Sequence, residues 1–239
     1  MKAMLLAAGL GIRLRPLTDH LPKCMIPVGG KPVLQRNVEW LRDQGVTELV
    51  INLFFRPQAV TDHFGDGSSF RVRIHYSPEP EMMGTAGAVW MARHHFRGER
   101  FWVLYADNLL HCNLASLQRQ HEISRASLTM ALFWREDVSA SGVADLDETR
   151  RIIAFKEKPQ TAETSHWVNA GLYLCEPEVL EVIPPGKPGD FGHDVLPALL
   201  AAGKPLYGYT MGPGESLYWI DTPDDLVSTE ARWQKENSA

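Results

Sequence analysis

The chain alternates short apolar runs with segments in which apolar residues recur every three or four positions. Four of the apolar runs have the length of buried strands: 3–8, 49–55, 72–76 and 101–106. Three segments between them have helical spacing: 32–44, 57–64 and 86–95. Strands that alternate with helices are typical of a parallel sheet with right-handed crossovers. The first half of the chain therefore predicts an α/β fold.

The rhythm changes after residue 108. Helical spacing is found at 114–125 and 191–202, and the polar tail 228–239 predicts a peripheral helix. The predicted strands of this half are 127–134, 168–174, 206–210 and a hairpin of 142–147 with 152–155. No linker rich in Pro, Gly or Ser divides the chain. We therefore expect one α/β domain over 1–239, a Rossmann-like, mostly parallel mixed sheet flanked by helices.

Charge and cysteine content narrow the class of protein. The chain has 24 basic and 29 acidic residues, a net charge of −5, which argues against a surface for polymeric nucleic acid or anionic membranes. Three cysteines far apart in sequence suit a reducing compartment. No run of about 20 apolar residues could span a bilayer, and the N-terminal apolar run is too short for a signal peptide. A cytoplasmic protein is predicted, with homo-oligomerisation left open.

The first strand leads directly into the loop Gly9-Leu10-Gly11. Glycines at the carboxyl end of such a strand allow phosphate oxygens to approach the backbone N–H groups. The loop is not a dinucleotide fingerprint, since Leu14 occupies the third glycine position, and no Gly-Lys-Ser/Thr makes it a P-loop. Glycines alone are equally compatible with a plain turn. Two nearby cations, Arg13 and Lys23, favour a phosphate site.

The segment 7–32 resembles the opening of the sugar-1-phosphate nucleotidyltransferases, with A-A-G-x-G-x-R-L-x-P-L-T followed by P-K-x-x-x-P-V-x-x-K-P. The resemblance implies transfer of a nucleoside monophosphate from an NTP to a sugar 1-phosphate, with Mg²⁺ as cofactor and release of pyrophosphate. It implies a nucleotide-binding part at about 1–110 and an acceptor-binding part at about 111–227. Ile12 and Cys24 depart from the family pattern, but neither change removes a cation.

The resemblance also assigns the residues around the phosphates. It implies that Ala8, Gly9, Gly11, Arg13 and Lys23 bind the nucleotide, and that Arg13 and Lys23 take part in catalysis. The two cations would balance the charge of the reacting phosphates, which is the main demand of phosphoryl transfer.

Asp107 is the first candidate metal ligand, since it follows the apolar run 101–106 and would reach the carboxyl edge of the sheet. A helix cap is the alternative. The resemblance implies that Asp107 is catalytic and binds Mg²⁺, and that a second carboxylate lies in a W-x-D segment. Asp221 in Trp-Ile-Asp-Thr-Pro supplies it, but the chain is shorter here than the family pattern. Asp224 and Asp225 therefore remain alternatives.

The acceptor residues follow from later motifs. Phe-Lys-Glu-Lys-Pro at 155–159 would by itself be a charged turn, but it matches the family's F-x-E-K-P. The resemblance implies that Lys158 is catalytic and holds the phosphate of the sugar phosphate, and that Glu157 binds a sugar hydroxyl. It implies that Asn169, in Asn-Ala-Gly, contacts the sugar and that Gly142 lines the same pocket.

Base recognition is expected within 76–87. The sequence Gly-Thr-Ala-Gly at 84–87 resembles a family motif in which Gly84 and Thr85 would meet the nucleotide. Glu79 falls where the family places Gln or Glu, and Glu81 is an alternative. A carboxylate only accepts hydrogen bonds, so Glu79 suits a base with an N–H to donate, such as guanine or uracil.

Two other functions stay open on the sequence alone. A cytidylyltransferase that acts on a non-sugar phosphate or phosphonate, such as phosphocholine, would share the glycine loop and the aspartates. A non-catalytic regulator would bind an NTP without turning it over. Retention of Arg13, Lys23, Asp107 and Lys158 together argues against the regulator.

Overall fold

The computed structural model describes residues 1–159 and 165–237. Its α-helices are α1 (Val33–Asp43), α2 (Pro57–Phe64), α3 (Gly84–Met91), α4 (Leu114–Ser124), α5 (Leu196–Ala201) and α6 (Pro223–Asn237). Its strands are β1 (Lys2–Leu6), β2 (Pro27–Val28), β3 (Lys31–Pro32), β4 (Glu48–Leu53), β5 (Arg73–Pro78), β6 (Phe101–Tyr105), β7 (Leu109–His111), β8 (Leu128–Trp134), β9 (Gly142–Leu146), β10 (Ile152–Glu157), β11 (Trp167–Cys175), β12 (Leu206–Thr210) and β13 (Ser216–Tyr218). The predicted α/β class is confirmed.

Most predicted elements are present with boundaries shifted by a few residues, and two differ in kind. The predicted helix at 86–95 begins two residues earlier and ends as a 3-10 turn at Arg93–His95. The predicted helix at 191–202 opens with a π-helical turn, Phe191–Val195. The tail helix begins at Pro223, ahead of the predicted 228, because Thr222 lies just before it and donates a hydrogen bond to Asp225 in its first turn. Residues 238–239 of the predicted tail lie outside the described residues.

The chain divides into two compact units. The first, here called the N-terminal unit, comprises Ala3–Met82, Tyr105–His111 and the described part of Ser216–Ala239. The second, the central unit, comprises Met1–Lys2, Met83–Leu104 and the described part of Cys112–Glu215. The division into a nucleotide part and an acceptor part at about residue 110 stays a prediction.

The N-terminal unit contains the strand order β1-β4-β5, with β4 and β5 parallel in register from Glu48 opposite Arg73 to Leu53 opposite Pro78. Two small antiparallel pairs, β2 with β3 and β7 with β13, lie in the same unit. Its apolar cluster joins the loop after β1 to the end of the chain: Leu14, Ile26, Val28, Val33, Leu109, Tyr218, Ile220 and Trp233. The loop and the last helix are therefore held by one core.

The central unit contains the order β10-β9-β11-β6, and β8 pairs with both β11 and β12. Here β11 is antiparallel to β6, β8 and β9, whereas β12 is parallel to β8. Stacked rings fill its core, with Tyr173 on Phe191 and Phe96 on Phe101. In the described residues of both units, none of the helices has the length and hydropathy needed to cross a membrane.

Candidate active site

The glycine loop after β1 has two glycines with different structural demands. Gly11 has φ +60°, and a Cβ atom there would lie 2.9 Å from both Lys23 Cβ and Thr18 Cγ2. The Thr18 hydroxyl donates a hydrogen bond to the Gly11 carbonyl at 2.8 Å. At Gly9, by contrast, a Cβ atom would meet no described heavy atom within 4 Å. The fold requires glycine at 11, whereas the open space at Gly9 leaves room for a ligand.

Lys23 joins two of the predicted carboxylates in the N-terminal unit. Its Nζ donates to Asp107 Oδ2 at 2.7 Å and to Asp221 Oδ1 at 2.5 Å. The Lys23 side chain is only 6% exposed, while each aspartate is 29% exposed. Burial lowers the pKa of the Lys23 ammonium, but the two carboxylates raise it by more, so its pKa lies above the ordinary value. Lys23 therefore carries a fixed positive charge between the aspartates.

Arg13 belongs to the same cluster, whereas Asp225 bonds within α6 and Asp224 is exposed. Arg13 Nη2 lies 3.4 Å from Asp221 Oδ1, and its side chain is 65% exposed. Asp225 accepts hydrogen bonds from the Thr222 backbone N–H and hydroxyl, which makes it part of the first turn of α6. Asp221 is thus the carboxylate of this segment that meets Asp107 across Lys23, and Asp225 has a structural task.

The donor set of this cluster fits a magnesium ion. No group of three or more His, Cys, Asp or Glu side chains forms a metal site among the described residues. Mg²⁺, however, is commonly bound through one or two carboxylates together with the phosphates of a substrate. The oxygens of Asp107 and Asp221 already face one cation, the Lys23 ammonium. Asp107 and Asp221 can therefore supply the carboxylate ligands of such a site, once Lys23 Nζ yields the oxygens that it holds here.

Glu79, the expected base reader, is held by Asn52. The Asn52 side chain donates from Nδ2 to Glu79 Oε1 at 2.6 Å and accepts from the Ala7 backbone N–H at 2.7 Å. Both Asn52 and Glu79 are buried. Asn52 thereby ties β4 to the end of β1, next to Ala8, and to the residue after β5. We did not predict Asn52; the only signal is one polar residue in an apolar strand.

In the central unit, the start of α3 is tied to the segment around Asp190. The Thr85 hydroxyl donates to Asp190 Oδ2 and accepts from the Phe191 N–H, both at 2.8 Å. Gly84 has φ +69°, and a Cβ atom there would lie 2.4 Å from the Gly189 carbonyl oxygen. Gly84 and Thr85 thus have structural partners of their own. The glycines around Asp190 were the only sequence signal for this contact.

Glu157 lies in a narrow space in the central unit. Cβ atoms built at Gly142 and Gly192 would approach its Oε2 to 2.6 and 2.5 Å. Burial, and then the charge of Asp190, raise the pKa of the Glu157 carboxyl above its ordinary value, against the lowering influence of Lys158 and His193. Two glycines of the same unit therefore leave space for this carboxylate, as an acceptor pocket requires.

The two other predicted acceptor residues differ in exposure and partners. Lys158 has φ +46° and a side chain that is 63% exposed, with Nζ 3.9 Å from Glu157 Oε1. Asn169 accepts from the Gly171 N–H at 2.9 Å and donates to the Tyr173 hydroxyl at 2.6 Å. The pairing of β11 with β8 is irregular between Asn169 and Tyr173. Asn169 thus stabilises the irregularity in the β8–β11 pairing, while the Lys158 side chain is largely exposed.

Comparison with known proteins now identifies the family. The family model described as nucleotidyl transferase matches residues 2–235. The chain belongs to this family. A UTP–glucose-1-phosphate uridylyltransferase from Synechocystis is 35% identical over 92% of the chain. A mannose-1-phosphate guanylyltransferase from Mycobacterium tuberculosis is 34% identical over 96% of it.

The chain spans 60% and 63% of the lengths of these two nucleotidyl transferase relatives. Solved structures match it almost end to end in fold. A Bacillus anthracis protein crystallised with sucrose has a TM-score of 0.87 at 24% identity, covering 97% of this chain and 94% of its own. HddC from Yersinia pseudotuberculosis in complex with GMP-PN has a TM-score of 0.81 at 23% identity, covering 97% and 99%. These likenesses confirm the expected fold.

Proposed function

We propose that the protein transfers a nucleoside monophosphate from an NTP to a sugar 1-phosphate and releases pyrophosphate. Membership of the nucleotidyl transferase family and the names of its relatives support this reaction class. The observation that carries the proposal is the cluster of Lys23 with Asp107 and Asp221, which sets one buried cation between two carboxylates next to the glycine loop. Phosphoryl transfer needs such neutralisation and alignment of charge.

Asp107 and Asp221 would hold Mg²⁺. When bound, the ion would neutralise the charge of the reacting phosphates and align them. Lys23, kept protonated by its raised pKa, stabilises charge on the α-phosphate. The backbone of Gly9–Gly11 and the exposed Arg13 bind the departing phosphates.

In the proposed reaction, an oxygen of the acceptor phosphate forms a bond to the α-phosphorus while the bond between that phosphorus and the α–β bridging oxygen breaks. The electron pair of the broken bond leaves with pyrophosphate. No side chain need act as a general base, since the attacking phosphate is ionised at neutral pH. Lys158 orients that phosphate, and Glu157 and Asn169 bind the sugar.

The proposal further includes a base that offers an N–H to Glu79 and a cytoplasmic location.

A pyrophosphate-release assay tests the reaction. Purified protein with Mg²⁺ is given GTP, UTP, dTTP, CTP or ATP, each with mannose 1-phosphate or glucose 1-phosphate. We expect release that needs both substrates and is lost in Asp107→Ala. Release with CTP and phosphocholine alone would favour a cytidylyltransferase of another substrate class. Tight NTP binding without any release would identify a regulator and end the proposal.

A further inference from the structure

Two short segments carry the carboxylates of Asp107 and Asp221 in the N-terminal unit. One segment precedes β7 and the other follows β13. These two strands pair antiparallel, with Tyr218 opposite Leu109. This is the pair nearest the carboxylates, and the backbone ladder ends there. The ladder therefore brings the two segments together without itself reaching either aspartate.

Beyond that pair, the side chain of Asn108 replaces the ladder. The Ile220 backbone N–H donates to Asn108 Oδ1 at 2.9 Å. Asn108 directly follows Asp107, and Ile220 directly precedes Asp221. One hydrogen bond thus joins the immediate neighbours of the two carboxylates.

Asn108 and Ile220 are each held on their other side. The Asn37 side chain, itself buried, donates from Nδ2 to the Asn108 carbonyl at 2.9 Å. Ile220 is fully buried in the apolar cluster that includes Leu109. The Asn108–Ile220 hydrogen bond therefore links two segments that are each held from the other side.

We propose that Asn108 is a positioning residue that sets the separation of Asp107 and Asp221. The inference rests on the proposed function, in which these carboxylates bind Mg²⁺. Mg²⁺ demands near-ideal octahedral geometry, so a change in the spacing of its two protein ligands should weaken it. Groups that orient metal ligands typically change metal affinity by about 10- to 100-fold when they are removed.

The test compares Asn108→Ala with a matched control, Asn113→Ala. Asn113 Oδ1 also accepts a backbone N–H at 2.9 Å, that of Ser116 at the start of α4 in the central unit. Both variants lose one asparagine acceptor of a backbone donor, but only the first adjoins the carboxylates.

The main readout is binding and does not need turnover. MgCl₂ is titrated at fixed GTP, or at the NTP that stabilises the wild type most, and the rise in melting temperature is followed. We expect the half-saturating Mg²⁺ concentration to rise about tenfold in Asn108→Ala and to stay within about threefold of wild type in Asn113→Ala. In the pyrophosphate assay, excess Mg²⁺ should restore the Asn108→Ala rate without a change in KM for the sugar 1-phosphate.

Each other outcome contradicts a stated part. An unchanged Mg²⁺ requirement in Asn108→Ala, or an equal increase in Asn113→Ala, overturns the positioning role alone. A wild type that binds no NTP with Mg²⁺ overturns the proposed function together with it. Should Asn108→Ala not fold, Asn108→Ser is judged by the same criteria, since its shorter side chain withdraws the oxygen from Ile220.

Discussion

At the scale of single residues, the cluster around Lys23 separates the candidate aspartates. Asp221 meets Lys23 directly, whereas Asp225 accepts hydrogen bonds within the first turn of α6. A carboxylate that holds the metal should be irreplaceable by its amide, because the amide loses the negative charge while keeping the shape. Asp225, which accepts hydrogen bonds from the N-cap residue Thr222, should tolerate the same change, because the side-chain oxygen of Asn also accepts.

We therefore expect Asp221→Asn to lower the rate of pyrophosphate release by at least the roughly 10- to 100-fold that loss of a group orienting a metal ligand costs, and Asp225→Asn to leave the rate within about threefold of wild type. Melting curves of both variants serve as the folding control. Equal losses in the two variants, or a larger loss in Asp225→Asn, would reverse the assignment of the second ligand.

Glu157 gives a pH-dependent prediction. Its folded-state pKa is raised, chiefly by burial, so the folded protein binds this proton more tightly than the unfolded chain. This tighter proton binding stabilises the folded state. Its contribution to the free energy of unfolding is fully present below the ordinary pKa near 4.5 and is lost as the pH rises through the raised pKa of the folded protein. In Glu157→Gln this part of the pH dependence disappears.

Without ligand, Glu157→Gln should therefore melt above the wild type at pH 7 to 8 and close to it near pH 4, while its KM for the sugar 1-phosphate rises. Melting temperatures across that range check the prediction. Parallel curves for the two proteins would show that burial of this carboxylate carries no cost.

At the scale of elements, the loop after β1 combines one glycine that the fold needs with one that it does not. Alanine at position 11 must adopt φ +60° and approach Lys23 and Thr18 to 2.9 Å. A left-handed conformation costs a non-glycine residue about 1–2 kcal/mol. Alanine at position 9 meets nothing within 4 Å among the described residues.

Gly11→Ala should consequently lower the free energy of unfolding by at least about 1–2 kcal/mol. Gly9→Ala should unfold like the wild type yet bind NTP more weakly, because its methyl group enters the space left for phosphate. Chemical unfolding and NTP titrations of the two variants test this. If Gly9→Ala bound NTP normally, the open space at Gly9 would have no part in binding.

At the scale of the whole molecule, binding is expected to be selective for nucleotides over nucleic acid. The net charge of −5 disfavours a phosphate polymer, but a nucleotide needs only a few placed cations. A ligand at about 100 times its Kd stabilises the folded state by about 2.7 kcal/mol, which corresponds to a rise of about 5–10 °C in Tm.

We expect this rise with at least one NTP plus Mg²⁺, a smaller one when Mg²⁺ is withheld, and none with single-stranded DNA or RNA of equal phosphate concentration. Differential scanning fluorimetry measures all three. A rise with the polymers would show that local cations outweigh the overall charge and would contradict the prediction.

The sequence predicted most of the fold because its strands are short, apolar and bounded by polar turns, as at 101–106 before Asp107. It predicted poorly where pairing depends on distant partners. The pairs β2–β3 and β7–β13 join two- and three-residue strands that have no periodicity to detect. The turn at Phe191–Val195 is capped by the Asp190 side chain; an aspartate at this position signals the start of a helix but not its π-helical form.

The sequence by itself determined the α/β class, the family, and the residue types that the proposed chemistry needs, because each of these follows from local runs and motif spacing. Only the tertiary structure decided that Lys23 lies between Asp107 and Asp221, which are 114 residues apart along the chain by their numbers. It also decided that Asn52 holds Glu79 and that Asn108 joins the segments of Asp107 and Asp221. A side-chain amide has the same appearance in sequence whether it is solvated or buried, and only packing selects the donor or acceptor that it meets.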